Sequence, residues 1–434
     1  MDAALRAEAS KLLADLIRID TTNPPGHETP AAVFLQWFLE REGIECELIA
    51  KDPERANLVA RIHGSGEGPS LTLLGHTDVV PADRAAWSVD PFAGIVQDGY
   101  VWGRGALDMK CQTICNVLAF ALIARSGIRP RGDLVLIAEA DEEEGSSGIG
   151  LPFVVALRPD LRTDYAINES SERLVLADGR VVHLFGVAEK ATMPVTVIAR
   201  GRPGHASWPA SGENALVRLG PAIERLAAHR PSGAPAPEFT LLLDALVPGD
   251  DPIERRLERA GALHPELPAI LGPLRGSTVS PTMISAASAL NVIPGRAELR
   301  LDCRVLPGTT PSELLAELRA CLTGLELELE LSSEPEGGSR SAPDTPLADM
   351  LRAYVETIDP GALVLPSMSA GFTNSHFLRD AFGTVAYGFF PLVHTPLELV
   401  GQTVHAHDER IDQDDLTLGV RFLEHACRTV GGFR

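Results

Sequence analysis

The run DLVLIAEADEEEG at residues 133–145 decides the fold. Its first part, Asp133–Ala138, is an aliphatic run from Leu134 onward, the signature of a strand buried on both faces. Its second part delivers Glu139, Asp141, Glu142, Glu143 and Glu144 directly off the strand end. Three more runs of the same kind, Asn57–Ile62, Ser70–Leu74 and Asp164–Ile167, are predicted as buried strands. A helical stretch from Cys111 to Ala124 separates two of them. Further helices are expected over 3–19, with Leu5, Leu12, Leu13, Leu16 and Ile17 on one side, and over 30–42, with the breaker cluster TTNPPGHE between them. Strands alternating with helices predict an α/β layered domain.

Farther along, the texture changes. Residues 192–200, 278–289, 295–305 and 326–331 read as strands, and 213–228 and 311–323 as helices. Their order, β-α-β-β-α-β, is that of a ferredoxin-like unit, interrupted by a long insert from PSGAPAPE to Arg275. The Pro/Gly/Ser-rich segment 333–346 leads back into a helix over 346–358. The second unit is therefore expected as an insertion, with 188–335 interrupting a domain made of 1–187 and 336–434.

The 434-residue length suits about three domains, or two large ones. Hydrophobic residues at 45% and charged residues at 22% are ordinary globular usage, which argues against disorder. A net charge of −21 argues against a nucleic-acid partner, which needs clustered Lys and Arg. The first 20 residues lack the apolar core of a signal peptide, and no stretch is apolar enough to span a membrane, so a cytoplasmic protein is expected. Six cysteines without a CxxC pair read as free thiols in a reducing compartment. Cys111 and Cys115 continue in Leu118 and Leu122 at helical spacing, which marks a core stripe rather than a metal pair.

Nucleotide and serine-hydrolase motifs are missing. Gly103-x-Gly105 has Asp108 where a third glycine belongs, and no Walker A, HExxH or GxSxG occurs. Instead, acids and an imidazole follow strand ends: His76 and Asp78 after 71–74, the Asp141–Glu144 run after 134–138, and Glu169 after 165–167. Ligands of α/β sheets bind beyond the carboxyl ends of strands. Asp108 joins them at the start of the 111–124 helix. Carboxylates converging on one edge repel unless some are protonated or a cation intervenes. An imidazole and carboxylate set suits Zn²⁺, with Mn²⁺ or Co²⁺ as alternatives, and two ions could share one carboxylate. Taken singly, each residue has a plainer reading: a solvated acid, the charged start of a helix for DEEE, a loop histidine for His76. Spacing alone leaves both readings open.

Six ordered motifs resemble those of the M20 family of metallopeptidases: GHTDVVP (75–81), WGRGALDMK (102–110), ADEEEGSSG (140–148), GHASWP (204–209), NVIPG (291–295) and VHAHDER (404–410). The likeness runs from DTTNPPG (20–26) to His405. It implies a zinc-peptidase-like catalytic domain with a mixed sheet flanked by helices, plus an inserted ferredoxin-like lid that dimerises. It implies two Zn²⁺ per chain held by His76, Asp108, Glu143, Glu169 and His405, with Asp108 bridging. Asp78 is implied to orient His76, and Glu142 to act as general base. His205 is implied to reach the partner's site in a homodimer and polarise the scissile carbonyl. Asn291 and Arg304 are implied to grip the substrate's carboxylate. For Arg304 the plainer alternative is an ion pair with Asp302. HAHDE fits the family spacing with His405 as the ligand and His407 outside the ligand set.

Two departures bear on specificity. Asn374 stands where many members of the family have Asp, and Ser170-Ser171 follow Glu169 where many have Gly-Gly or Pro. The implied activity is hydrolysis of the amide bond of N-acyl amino acids, dipeptides or the C-terminal residue of short peptides. The implied substrate is a small molecule or short peptide with a free carboxylate. A biosynthetic deacylase of the succinyl-diaminopimelate desuccinylase or acetylornithine deacetylase type is the alternative within enzymes. A non-catalytic, metal-stabilised binding protein is the alternative outside them.

Overall fold

A computed structural model describes residues 2–145, 148–170, 172–230, 233–287 and 289–432. The chain forms two compact units: Met1–Val187 with Ser341–Pro366 and Phe377–Arg434, and Ala188–Arg340 with Ser367–His376.

A nine-stranded mixed sheet organises the first unit. Leu71–His76 lies between Leu134–Glu139 and Tyr165–Asn168, parallel to both, and Val385–Gly388 runs parallel to Tyr165–Asn168. All six residues of Leu71–His76 and of Leu134–Glu139 are buried, as their aliphatic runs predict. Asn57–Ile62 and Glu45–Ile49 extend one side antiparallel. His76 pairs across from Glu139, so the parallel strands end at one level. That shared edge is where the motifs were expected to meet.

The Lys110–Ser126 helix explains its own polar residues. It is buried almost all round. Thr113 Oγ1 donates to the His76 carbonyl at 2.8 Å and Asn116 Nδ2 to the Leu74 carbonyl at 3.0 Å. These bonds fix the helix to the strand end that carries His76. Cys111, Cys115 and Leu118 are buried and Leu122 is half-buried, so the cysteine stripe is core. Burial pushes both thiols up. The Gln413–Val430 helix packs on Lys110–Ser126 and on Ala3–Ile17.

The sequence reading missed Val181–Glu189, Leu363–Ser369 and Val385–Gly388, all strands of the large sheet. It also missed a small sheet in which Tyr100–Trp102 pairs with Ile95–Gln97 and with Arg410–Asp412. That sheet sets Trp102 opposite Arg410, so the loop after one strand lies beside the loop before the other.

In the second unit Leu327–Leu331, Val195–Arg200, Arg296–Val305 and Thr278–Ser285 neighbour one another in that order, all antiparallel. Leu219 and Leu226 of the Ala215–Ala228 helix, and Leu314 and Leu318 of Pro311–Cys321, bury against the sheet's Val195, Val197, Leu299 and Leu301. This is the ferredoxin-like arrangement. The long insert forms three helices, Pro237–Leu246, Ile253–Leu263 and Leu267–Leu274. Among the described residues, no helix is long and apolar enough to cross a membrane.

Candidate metal centre

His76 ends its strand with a side chain that is 1% exposed. Its Nδ1 lies 3.0 Å from the Asp78 carbonyl and 3.5 Å from Asp78 Oδ1. Its Nε2 faces Asp108 Oδ1 at 3.2 Å, Glu169 Oε2 at 3.7 Å and Glu142 Oε2 at 3.9 Å. The other oxygen of Asp108, Oδ2, lies 3.0 Å from His405 Nε2, which is also 3.1 Å from Glu143 Oε2. Among the described residues two clusters result, His76/Asp108/Glu169 and Asp108/Glu143/His405, and they share Asp108. His407 belongs to neither.

Asp141–Glu144 form a turn rather than a helix start. Asp78 holds that turn: Oδ1 accepts from Glu142 N at 3.1 Å and Oδ2 from Glu143 N at 3.0 Å. Asn23 Nδ2 donates to both Asp78 and Asp141. Arg55 pairs with Glu28 and reaches Asp141 Oδ1 at 3.2 Å. Asp141 itself has φ +64°, a left-handed conformation that a non-glycine residue holds only where its surroundings fix it. The breaker segment 21–28 is thus a brace for the acidic turn. Ser146, Ser147 and Ser171 of the motifs lie outside the described residues.

Burial and charge together set the titration of these groups. Burial alone would lower the His76 pKa, but Asp108, Asp78 and Glu169 hold it well above its ordinary value. Asp108 and then Glu143 push His405 up to about 10. Burial, followed by the charge of Glu169, pushes Glu142 well up, and burial also raises Glu143. Glu143 Oε1 is buried with no hydrogen-bond partner among the described residues. A buried carboxylate oxygen without a donor, inside a group of acids and imidazoles, fits an incoming cation. The mixed N/O donor set fits divalent transition metals.

Glu409 and Arg104 are the residues the sequence reading missed. Glu409 is fully buried and accepts from Arg104 Nη1 at 2.6 Å, Gly105 N at 3.1 Å, Leu107 N at 2.6 Å and Asp108 N at 3.0 Å. Arg104 Nη2 donates to the Ala406 carbonyl at 2.6 Å. This pair ties the loop carrying Asp108 to the loop carrying His405. Its position directly after HAHD was the available signal.

The remaining predicted residues lie in the second unit. His205 is exposed, in a two-residue strand paired with Val292–Ile293, and Ala206 N donates to the Asn291 carbonyl at 2.9 Å. His205 and Asn291 are therefore neighbours. His205 Nδ1 accepts from Ser207 N at 3.2 Å and lies 2.8 Å from Ser207 Oγ. The Arg304 guanidinium engages Asp302 at 2.8 Å and Thr192 Oγ1 at 2.8 Å, so the ion pair weighed above is present. Asn374 is buried.

The family described as Peptidase family M20/M25/M40 matches residues 72–429. The chain belongs to this family. It is an M20 enzyme, a hydrolase. Its sequence is 28% identical to a succinyl-diaminopimelate desuccinylase of Cereibacter sphaeroides, over 92% of this chain and 93% of that protein. It is 29% identical to a protein of the same name in Rhodospirillum centenum, over 93% and 92%. Among solved structures it resembles an M20 metallo-carboxypeptidase of Sulfolobus solfataricus, with TM-score 0.73, 18% identity and 98% and 99% of the two chains covered. It also resembles a dinuclear metal-binding M20 peptidase of Bacillus subtilis, with TM-score 0.63, 14% identity and 98% of each chain covered.

Proposed function

We propose that this M20 chain is a di-zinc amidohydrolase acting on N-acyl amino acids, dipeptides or short peptides with a free carboxylate. One observation carries the reading: the two oxygens of Asp108 face separate clusters, each with one histidine and one further carboxylate. His76 and Glu169 would hold one ion, Glu143 and His405 the other, and Asp108 both. When bound, the pair supplies Lewis acidity toward a water and the scissile carbonyl.

The chain's own groups supply the rest. Glu142 stands among these ligands yet belongs to neither cluster, so its carboxylate is free to carry a proton. It takes one from the attacking water and returns it to the leaving amine. Asp78 keeps the His76 ring oriented and fixes the backbone from which Glu142 and Glu143 project. His205 donates to the carbonyl oxygen, and Asn291 and Arg304 bind the substrate's carboxylate. Arg304 does so while keeping its bond to Asp302. Chelation is expected to abolish hydrolysis and lower Tm, because ligand-free carboxylates repel and bound ions stabilise only the folded state. Amine release from an N-acyl amino acid panel, after reconstitution with Zn²⁺, Co²⁺ or Mn²⁺, tests both activity and metal. Zn²⁺ giving no activity where another ion restores it would overturn the zinc assignment.

A biosynthetic deacylase remains the second reading, favoured by the two desuccinylase relatives. Turnover of N-succinyl-diaminopimelate above every other amide in the panel would establish it. The six free cysteines support a cytoplasmic setting.

We also propose a homodimer formed through the second unit. Thr278–Ser285 is an edge strand, and Met283, Ile284, Leu290 and Val292 expose apolar surface on and just after it. The test mixes two inactive proteins, His205→Ala and Glu142→Gln, under subunit exchange. One site of a mixed dimer would combine an intact Glu142 with an intact His205 from the other chain, so activity is expected to return. Confirmed exchange without activity would exclude action across the dimer.

A further inference from the structure

We infer that a cavity beside the metal clusters, lined by the first unit alone, receives the acyl half of the substrate and selects uncharged acyl groups over anionic ones. The inference rests on the amidohydrolase reading above. The cavity volume is about 210 Å³. At about 30 Å³ per water-sized group, it holds roughly seven such groups. Asp108, which both clusters share, and Glu169, which belongs to one, form part of its wall. A group seated there is thus next to the carboxylates that would hold the ions acting on the scissile carbonyl.

The rest of the wall states what that group is. Leu107, Met109, Phe390, Leu392, Val400 and Val404 make most of it apolar. The charged residues in the wall are Asp108, Glu169 and Glu172, and no basic side chain is among the described lining residues. Asp108 and Glu169 would be taken up by the metals. Glu172 accepts from Ser170 Oγ at 2.6 Å and adds a further carboxylate to the wall. A carboxylate placed here would lose its water, find no basic side chain in the described lining and face Glu172. The carboxylate-bearing half of the substrate is therefore excluded, which leaves the acyl half as occupant. A succinyl group is excluded on the same ground, although desuccinylases are among the relatives.

A second observation points the same way. Gln112 lines the cavity and is 2% exposed, and its Nε2 has no hydrogen-bond partner among the described residues. A buried donor left unpaired is costly, and a neutral oxygen on the occupant satisfies it. The acyl class that meets every wall is a medium-length chain, apolar or carrying one neutral acceptor.

The test compares N-acyl methionines that share one leaving group: acetyl, hexanoyl, succinyl, and levulinyl, the methyl-ketone isostere of succinyl. Kd is measured on metal-loaded Glu142→Gln protein, and kcat/KM on the unmodified enzyme. Levulinyl and hexanoyl are expected to show a Kd lower than that of succinyl, and a kcat/KM higher, each by about tenfold or more, the scale of one unfavourable charge contact. Glu172→Gln is expected to narrow the levulinyl-to-succinyl ratio. Leu392→Trp, which fills the cavity, is expected to lower the hexanoyl-to-acetyl ratio; Val400→Met checks the same ratio with a smaller change. Succinyl equal to or better than levulinyl would overturn the cavity assignment while leaving amide hydrolysis standing. Ratios unmoved by either cavity-filling variant would also overturn it. A metal-loaded enzyme that neither binds nor hydrolyses any of the four would overturn the cavity assignment and the amidohydrolase reading together.

Discussion

Glu142→Gln is expected to lower kcat by about 10²–10⁴-fold, the usual span for a general acid–base group, with little change in fold or metal uptake. The argument is geometric. Glu142 Oε2 lies 3.9 Å from His76 Nε2, among the proposed ligands but in neither cluster. The glutamine amide keeps the side chain's shape and cannot accept the water's proton. The backbone N–H of residue 142 still donates to Asp78, so the turn survives the change. Circular dichroism and metal content should match the unmodified protein while single-turnover hydrolysis slows. A variant with near-normal kcat would move the base elsewhere, and Glu144 would be examined next.

Strand ends made half of this centre legible in the sequence. His76 and Glu169 follow short, mostly apolar runs, and such runs predict buried parallel strands whose carboxyl ends meet. The residues joining those strands into one site were harder to read. Asp108 and His405 come together because Tyr100–Trp102 pairs with Arg410–Asp412. Both are three-residue strands with no apolar alternation long enough to notice. Here the family motifs supplied what periodicity could not. In the second unit the strand and helix pattern revealed the ferredoxin-like order, but the proline-rich insert concealed three helices. Pro237 and Pro268 stand in the first turns of two of them, where proline is tolerated, so a local reading takes them for breakers.

Removing Glu409 is expected to have the largest structural effect of any change outside the proposed ligand set. Its carboxylate gathers Arg104 and the backbone N–H groups of Gly105, Leu107 and Asp108. Glu409→Leu would leave a buried guanidinium, the buried Gly105 amide and the half-buried Leu107 and Asp108 amides without their acceptor. Breaking one partner of a buried ion pair costs about 3–5 kcal/mol, enough to lower Tm by roughly 10 °C in a domain of this size. The loop carrying Asp108 would also lose its anchor to the loop carrying His405. Metal affinity is expected to fall by about 10–100-fold, the usual penalty for losing a group that orients a ligand. A double-mutant cycle with Arg104→Met separates the two contributions. If the ion pair were the whole interaction, Arg104→Met/Glu409→Leu would recover most of the lost stability, as apolar replacements of buried pairs often do. Because three backbone donors also depend on Glu409, the double variant is expected to stay destabilised and weak in metal binding. Arg104→Met alone should be milder, since those three amides still surround the carboxylate. Full recovery in the double variant would show that Arg104, and not the Asp108 loop, is what Glu409 serves.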